Sequence, residues 1–218
     1  MKFQGFFIKI GELQWLEKLQ KQGEVYCNTL HYFATEEDKN KARKDKNEIA
    51  QDYQVFKNNI ISLKPNNSEF KPIQIKTSRL QLIQSLPNAL GNLYCLFSVN
   101  MLAMPSEGKI EIDIKNREFG DFGLVLTNPD EFQNRLEKAI KKMGLIFFKG
   151  FVEYIDLKEL NGKKSVFQKD NSYSFQNEFR YFIQNTEQTP LKFCLGDISD
   201  ISTMIKLENE IRYKKPNL

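Results

Sequence analysis

At 218 residues with 40% hydrophobic content, the chain is long enough to bury one sizeable core, and its 18 Phe and 8 Tyr favour a strand-bearing core over disorder or a purely helical bundle. Lys and Arg number 32 against 28 Asp and Glu, a net charge of +4 with the signs interspersed, which is too small an excess to imply nucleic acid. No stretch approaches the roughly 18 consecutive apolar residues that span a bilayer, and the opening MKFQGFFIKIGELQ has no long apolar region with a cleavage site, so a cytoplasmic protein outside the membrane is expected.

In chain order, Phe3 to Ile10 is dense in Phe and Ile and reads as a buried strand. Leu13, Leu16 and Leu19 recur at threes beside Trp15, and Glu12 and Gly23 supply start and stop signals, so a helix follows. Glu24 to Cys27 is a second short strand, after which Asn28 or Thr29 caps a helical turn carrying Leu30, Tyr32 and Phe33. From Thr35 to Asp52 the chain is almost wholly polar and is expected to be a loop and then a solvated helix. Tyr53 to Ile83 offers short apolar alternations broken by Pro65, Asn66, Asn67 and Pro72, the pattern of hairpins.

Asn92 to Val99, NLYCLFSV, is apolar with little alternation, as in a central strand covered on both faces. Lys109 to Ile114 alternates, and Gly123 to Leu126 is a further strand. Between them lies Glu118-Phe119-Gly120-Asp121-Phe122-Gly123, a tight turn with glycine at positive φ; no kinase motif accompanies its D-F-G letters. Asn128 and Pro129 start a helix whose apolar stripe is Phe132, Leu136, Ala139, Ile140 and Met143, ending at Gly144. Strands at Leu145 to Ile155, Phe179 to Gln184 and Leu191 to Leu195 follow, and a C-terminal helix is expected after them. With no repeat or linker, the reading is one α+β domain over residues 1–218, strand-rich and mixed.

Cys27, Cys95 and Cys194 are odd in number, far apart and set in apolar runs, and read as buried thiols in a reducing compartment. One histidine, His31, beside Tyr32 and Phe33, reads as a packing residue; with no CxxC or HExxH there is no zinc site, and no metal site is assigned. Asp45 and Glu48, three apart on the expected helix with Arg43 nearby, form a carboxylate pair suited to a metal ion or a ribose, or simply to a solvated face. Lys163, Lys164, Lys169, Phe167 and Tyr173 form a basic and aromatic cluster suited to single-stranded nucleic acid or to an anchored polar loop.

The string Phe175-Gln176-Asn177-Glu178-Phe179-Arg180 carries the most chemistry. Strand alternation puts Gln176, Glu178 and Arg180 on one face. A carboxylate fixed there suits stabilisation of an oxocarbenium-like sugar cation; the plain alternative is an exposed strand with Glu178 and Arg180 paired along it.

Gln176-x-Glu178 on a late strand resembles the Q-x-E signature of mono-ADP-ribosyltransferases. The order strand, helix ending at Gly23, strand in FIKI…LEKLQKQGEVYCNTL is similar to the start of that fold, and Ser98 after YCLF is similar in placement to its serine motif. Lys9 stands where Q-x-E members usually carry arginine, and Ser98-Val99-Asn100 stands for S-T-S. The resemblance implies a split sheet with flanking helices and NAD bound in a cleft between two small sheets. It implies that Glu178 stabilises the ribosyl cation, Gln176 orients a protein or nucleic-acid acceptor, and Ser98 supports the glutamate. Lys9 or Arg180 would then contact phosphate, and Tyr26 or Tyr32 would stack on nicotinamide. The Gly23-to-Phe33 run, Arg43-x-Asp45-x-x-Glu48 and Gln176-x-Glu178-x-Arg180 also resemble features recurring in bacterial and phage proteins, a resemblance that names no chemistry. Two rivals stay open: a non-enzymatic protein-binding module in phage–bacteria conflict, such as a phage-encoded inhibitor or a defence sensor, with an exposed apolar patch, and a metal-dependent nuclease using Asp45, Glu48 and Asp121.

Overall fold

The computed structural model describes residues 5–35, 44–64, 66, 71–86, 88–101, 105, 107–208 and 210–214. In chain order the strands are β1 (Gly5–Gly11), β2 (Glu24–Thr29), β3 (Ala50–Leu63), β4 (Ile73–Ser85), β5 (Asn92–Asn100), β6 (Glu107–Glu111), β7 (Phe122–Leu126), β8 (Phe147–Phe151), β9 (Glu153–Ile155), β10 (Gly162–Lys163), β11 (Gln168–Asp170), β12 (Glu178–Ile183), β13 (Leu191–Cys194), β14 (Ser202–Lys206) and β15 (Glu210–Lys214). The α-helices are α1 (Leu13–Gln22), α2 (Leu30–Thr35) and α3 (Pro129–Lys142). Short 3-10 turns lie at Ile114–Phe119, Asn171–Gln176 and Ser199–Ile201. The architecture is α+β and strand-rich, and no described helix is long and apolar enough to cross a membrane.

The main sheet has eight antiparallel strands built around β5. One edge of β5 carries β12 along its length, from Ile183↔Asn92 to Glu178↔Phe97, and β8 lies beyond β12. The opposite edge is shared. β1 pairs with it from Gly5↔Asn100 to Ile8↔Phe97, whereas β2 joins it only at Asn28↔Leu93 and Thr29↔Asn92. The sheet therefore forks, with β7 and β14 continuing from β1 and β13 continuing from β2.

Local signals explain the helices. In α1, Leu16 and Leu19 are buried and Gly23 ends the helix at φ 67°, its N–H donating to the Lys18 carbonyl; a Cβ at Gly23 would lie 2.1 Å from the Gly196 carbonyl oxygen, so only glycine fits. Thr29 Oγ1 accepts from the Tyr32 N–H and starts α2. In α3, Asn128 Oδ1 accepts from the Glu131 N–H, Pro129 opens the first turn, and Lys141 and Lys142 sit at the negative end of the dipole. Phe132, Leu136 and Ile140 of α3 are fully buried against one face of the sheet, with Phe7, Leu96, Phe179 and Tyr181, each such side chain contributing roughly 1.5–3 kcal/mol of burial.

The structure corrects several expectations. The polar stretch before Asp52 is, in its described part, a turn at residues 46–49 leading into β3; residues 36–43, including Arg43, lie outside the described residues. The expected short hairpins are one long ribbon, β3 paired with β4 from Ala50↔Ser85 to Leu63↔Ile73. Its base is anchored by Tyr53 packed on Leu157 and by Gln81 Nε2 donating to the Leu157 carbonyl at 2.7 Å. The expected C-terminal helix is instead a 3-10 turn followed by β14 and β15. Ser202–Lys206 carries no strong helical stripe, and the open edge of β7 offers it a complete ladder from Ser202↔Leu126 to Lys206↔Phe122. Of the thiols, Cys27 is buried and Cys95 partly so, but Cys194, on the outer strand β13, is exposed.

Candidate active site: a cleft at the fork of the sheet

Because β1 leaves β5 after Ile8 and β2 meets it only at Asn28 and Thr29, the edge of β5 at Tyr94, Cys95 and Leu96 faces a gap. Lys9 occupies the gap, its Nζ donating to the Cys95 carbonyl at 2.8 Å and lying 4.4 Å from the centre of the Tyr94 ring. Around this opening is a cavity of about 680 Å³, within the roughly 300–1,000 Å³ of small-molecule sites. Gly120 lies behind Gly11, which lines the cavity. At φ 145° its Cα side lies so close to Gly11 that a Cβ would come within 2.1 Å of the Gly11 carbonyl carbon, as the glycine-bearing turn requires.

Lys9, Tyr26, Tyr32, Gln176, Glu178 and Arg180 all line this cavity. Ser98 does not. It is buried, and its Oγ donates to the Asn177 carbonyl at 2.8 Å while Asn177 Nδ2 donates to the Ser98 carbonyl at 3.0 Å. Ser98 thus fixes the entry to β12, and the expected support of Glu178 is indirect. Gln176 is the last residue of a 3-10 turn rather than part of the strand; Asn177, left-handed at φ 43°, ends that turn and swings the chain into β12. Gln176 and Glu178 converge even so, because both reach Lys169.

The inner wall is an ionic cluster. Lys169 Nζ donates to Gln176 Oε1 at 2.6 Å and to Glu178 Oε1 at 2.9 Å, and lies 3.5 Å from Glu48 Oε1. Arg180 pairs with Glu48 through both Nη atoms, at 2.8 and 3.2 Å, and with Glu178 Oε2 through Nε at 3.1 Å, and it also donates to the Val166 carbonyl. These four charged residues are buried, Arg180 to 1% exposure. An exposed ion-paired strand is therefore not what forms here, and Arg180, whose donors are all turned inward onto protein acceptors, positions the carboxylates.

Burial alone would raise the carboxyl pKa of Glu178, but Arg180 and then Lys169 outweigh it and hold the group well below the ordinary range. Glu48 is lowered in the same way, against its own desolvation, by Arg180, Lys169 and Lys164. Lys169 and Arg180 are raised, their desolvation overcome by Glu178 and Glu48. Asp45 behaves oppositely. It is fully buried, its Oδ1 accepts from the Asn47 N–H, its Oδ2 has no hydrogen-bond partner among the described residues, and burial followed by Glu48 raises its pKa. Lys164 is lowered by burial, against the pull of Glu48 and Asp45. The Cys95 thiol, desolvated and beside Glu178, is pushed up to about 12.

Several sequence assignments change accordingly. Glu48 belongs with Arg180 and not with a metal pair, Asp121 is exposed and does not line the cavity, and among the described residues no group of three or more His, Cys, Asp or Glu is placed to hold a metal ion. Lys164 and Lys169 are buried and only Lys163 of the three lysines in the basic and aromatic cluster is exposed; Tyr173 donates to the Lys44 carbonyl and lies under the Lys169 ammonium. Trp15 lines the cavity although the sequence marked only its position on α1; it falls outside the buried pair Leu16 and Leu19, the one signal that could have singled it out. Comparison with models of known protein families, with curated proteins and with solved structures gives no match for this chain.

Proposed function

We propose that the cleft binds NAD and that the chain is an ADP-ribosyltransferase-like enzyme of bacterial or phage origin, acting in the cytoplasm on a protein or nucleic-acid acceptor. The observation that carries this reading is a carboxylate, Glu178, held by Lys169 and Arg180 on the inner wall of a nucleotide-sized cavity that also holds Gln176, Lys9, Tyr26 and Tyr32. In the proposed reaction the bond between ribose C1′ and the nicotinamide nitrogen breaks, the electron pair leaves with neutral nicotinamide, and positive charge develops on the ribose. Glu178 stabilises that charge, its rotamer held by Lys169 and Arg180 and its ionised form maintained by them. Glu48 keeps the four-residue cluster electrically neutral, two carboxylates against two cations, so the wall does not repel the cation. Lys9, at the fork, contacts the pyrophosphate, and Tyr32, half-buried beside Phe33, stacks on nicotinamide. The acceptor, oriented by Gln176, then forms the bond to C1′ through a lone pair and loses its proton to solvent water.

Incubating the protein with NAD and following nicotinamide release by chromatography tests the reading. Glu178→Gln is expected to lower turnover by roughly 100-fold or more while NAD still binds in calorimetry. Release at the wild-type rate by that variant, or none from the wild type with any acceptor, would sink it.

A second reading, a protein-binding module, is favoured by the β3–β4 ribbon, where Ile60, Leu63, Ile73, Ile75 and Leu82 are 44–59% exposed. It expects no NAD binding.

A further inference from the structure

Trp15 has no part in the bond-breaking proposed above, yet it lines the cavity while remaining 55% exposed. Tyr26, on β2, lines the same cavity and is 52% exposed. One exposed aromatic needs no explanation, but two on one cavity whose inner wall is a buried ionic cluster make a site with two zones. The inner zone holds charge. The outer zone offers flat, solvent-open rings, and the indole is already steadied by the Lys18 ammonium, 4.6 Å from its ring centre, which lowers the entropic cost of using it.

We infer that Trp15, together with Tyr26, is the subsite for the purine ring of the nucleotide, on the solvent-exposed part of the cavity lining. This rests on the dinucleotide reading, and it assigns a ligand chemistry, a planar heteroaromatic base, to residues outside the reacting centre. Stacking on aromatic side chains is tolerant of base identity, so the subsite supplies affinity more than selectivity among bases.

Trp15 is the single tryptophan of the chain, so its emission reports this subsite alone. Titration with ADP, AMP or NAD should change that emission saturably, and nicotinamide mononucleotide, which lacks the purine, should leave it unchanged. In calorimetry Trp15→Ala should weaken ADP and NAD binding by about 5- to 100-fold, and Trp15→Phe by much less, with circular dichroism unchanged. If NAD binds wild type and Trp15→Ala equally, the purine subsite is overturned and the transferase reading stands. ADP binding reported by Trp15 without nicotinamide release from NAD supports the subsite and overturns the transferase chemistry. Failure of every nucleotide to bind overturns both.

Discussion

The two faces of β12 are both buried, and they are buried by opposite means. Phe179, Tyr181 and Ile183 point into the main apolar core, where the Phe179 ring meets those of Phe7 at 4.7 Å, Phe151 at 5.0 Å and Tyr181 at 5.7 Å. One residue out of phase, Glu178 and Arg180 point into a cluster of charges as inaccessible as that core. The apolar face is held by contacts that tolerate small changes of shape. The ionic face depends on completeness, since each charge has given up water and is compensated only by its partners.

The sharpest way to break the comparison is to remove one partner from each face. Arg180→Ala should cost about 3–5 kcal/mol in urea unfolding because it leaves two buried carboxylates, Glu48 and Glu178, with Lys169 alone of the two cations that pair with both. Phe179→Ala should cost a similar amount, about 3–5 kcal/mol, from lost burial and a cavity. The faces part company on rescue: neutralising Glu48 alongside Arg180 leaves Lys169 paired with Glu178 and should recover much of the first loss, while no second truncation should recover the second. Equal behaviour would mean that the cluster is not acting as a coupled unit.

Acid titration makes the next largest distinction. Glu178 and Glu48 lie below the ordinary range, because Arg180 and Lys169 overcome the effect of burial, so their stabilisation is present above the unfolded-chain value of about 4.3 and is lost as pH falls through the folded value. Asp45, raised by burial and then by Glu48, has the opposite sign: its contribution is present below about pH 3.9 and is lost as pH rises through its folded value. Thermal melts from pH 3 to 7 should therefore show Glu178→Gln flattening the acid limb, and Asp45→Asn leaving stability at pH 7 unchanged or raising it by up to about 1 kcal/mol. A destabilised Asp45→Asn at pH 7 would place Asp45 among the productive ion pairs.

The smallest effect belongs to the ribbon. Ile60→Thr and Ile73→Thr lie on exposed positions of β3 and β4 and should change unfolding free energy by no more than about 0.5 kcal/mol, which separates the ribbon from both faces of β12.

Much of the fold could be read along the chain because its signals are local. Gly23 and Asn128-Pro129 mark helix ends by backbone chemistry, and NLYCLFSV announces a strand buried on both sides. The C-terminal strands could not be read that way, since β14 owes its conformation to the open edge of β7. In the site, strand alternation correctly paired Glu178 with Arg180, and the turn at Asn177 delivered Gln176 to the same place by another route. Glu48 was marked as half of a carboxylate pair with Asp45 and Lys169 as part of a basic and aromatic cluster, and neither was joined to Glu178, because nothing in a charged run states which of its members turns inward.

Sequence by itself determined the class of fold, the principal helices and the strand on which the carboxylate sits, since propensity, capping and hydrophobic period act over a few residues. Tertiary structure decided the rest. The fork between β1 and β2 opens the cleft, and the joining of Glu48 to Arg180 across 132 residues of chain makes a charged pattern into a buried site, because pairing of edges and desolvation of charges are settled only when distant segments meet.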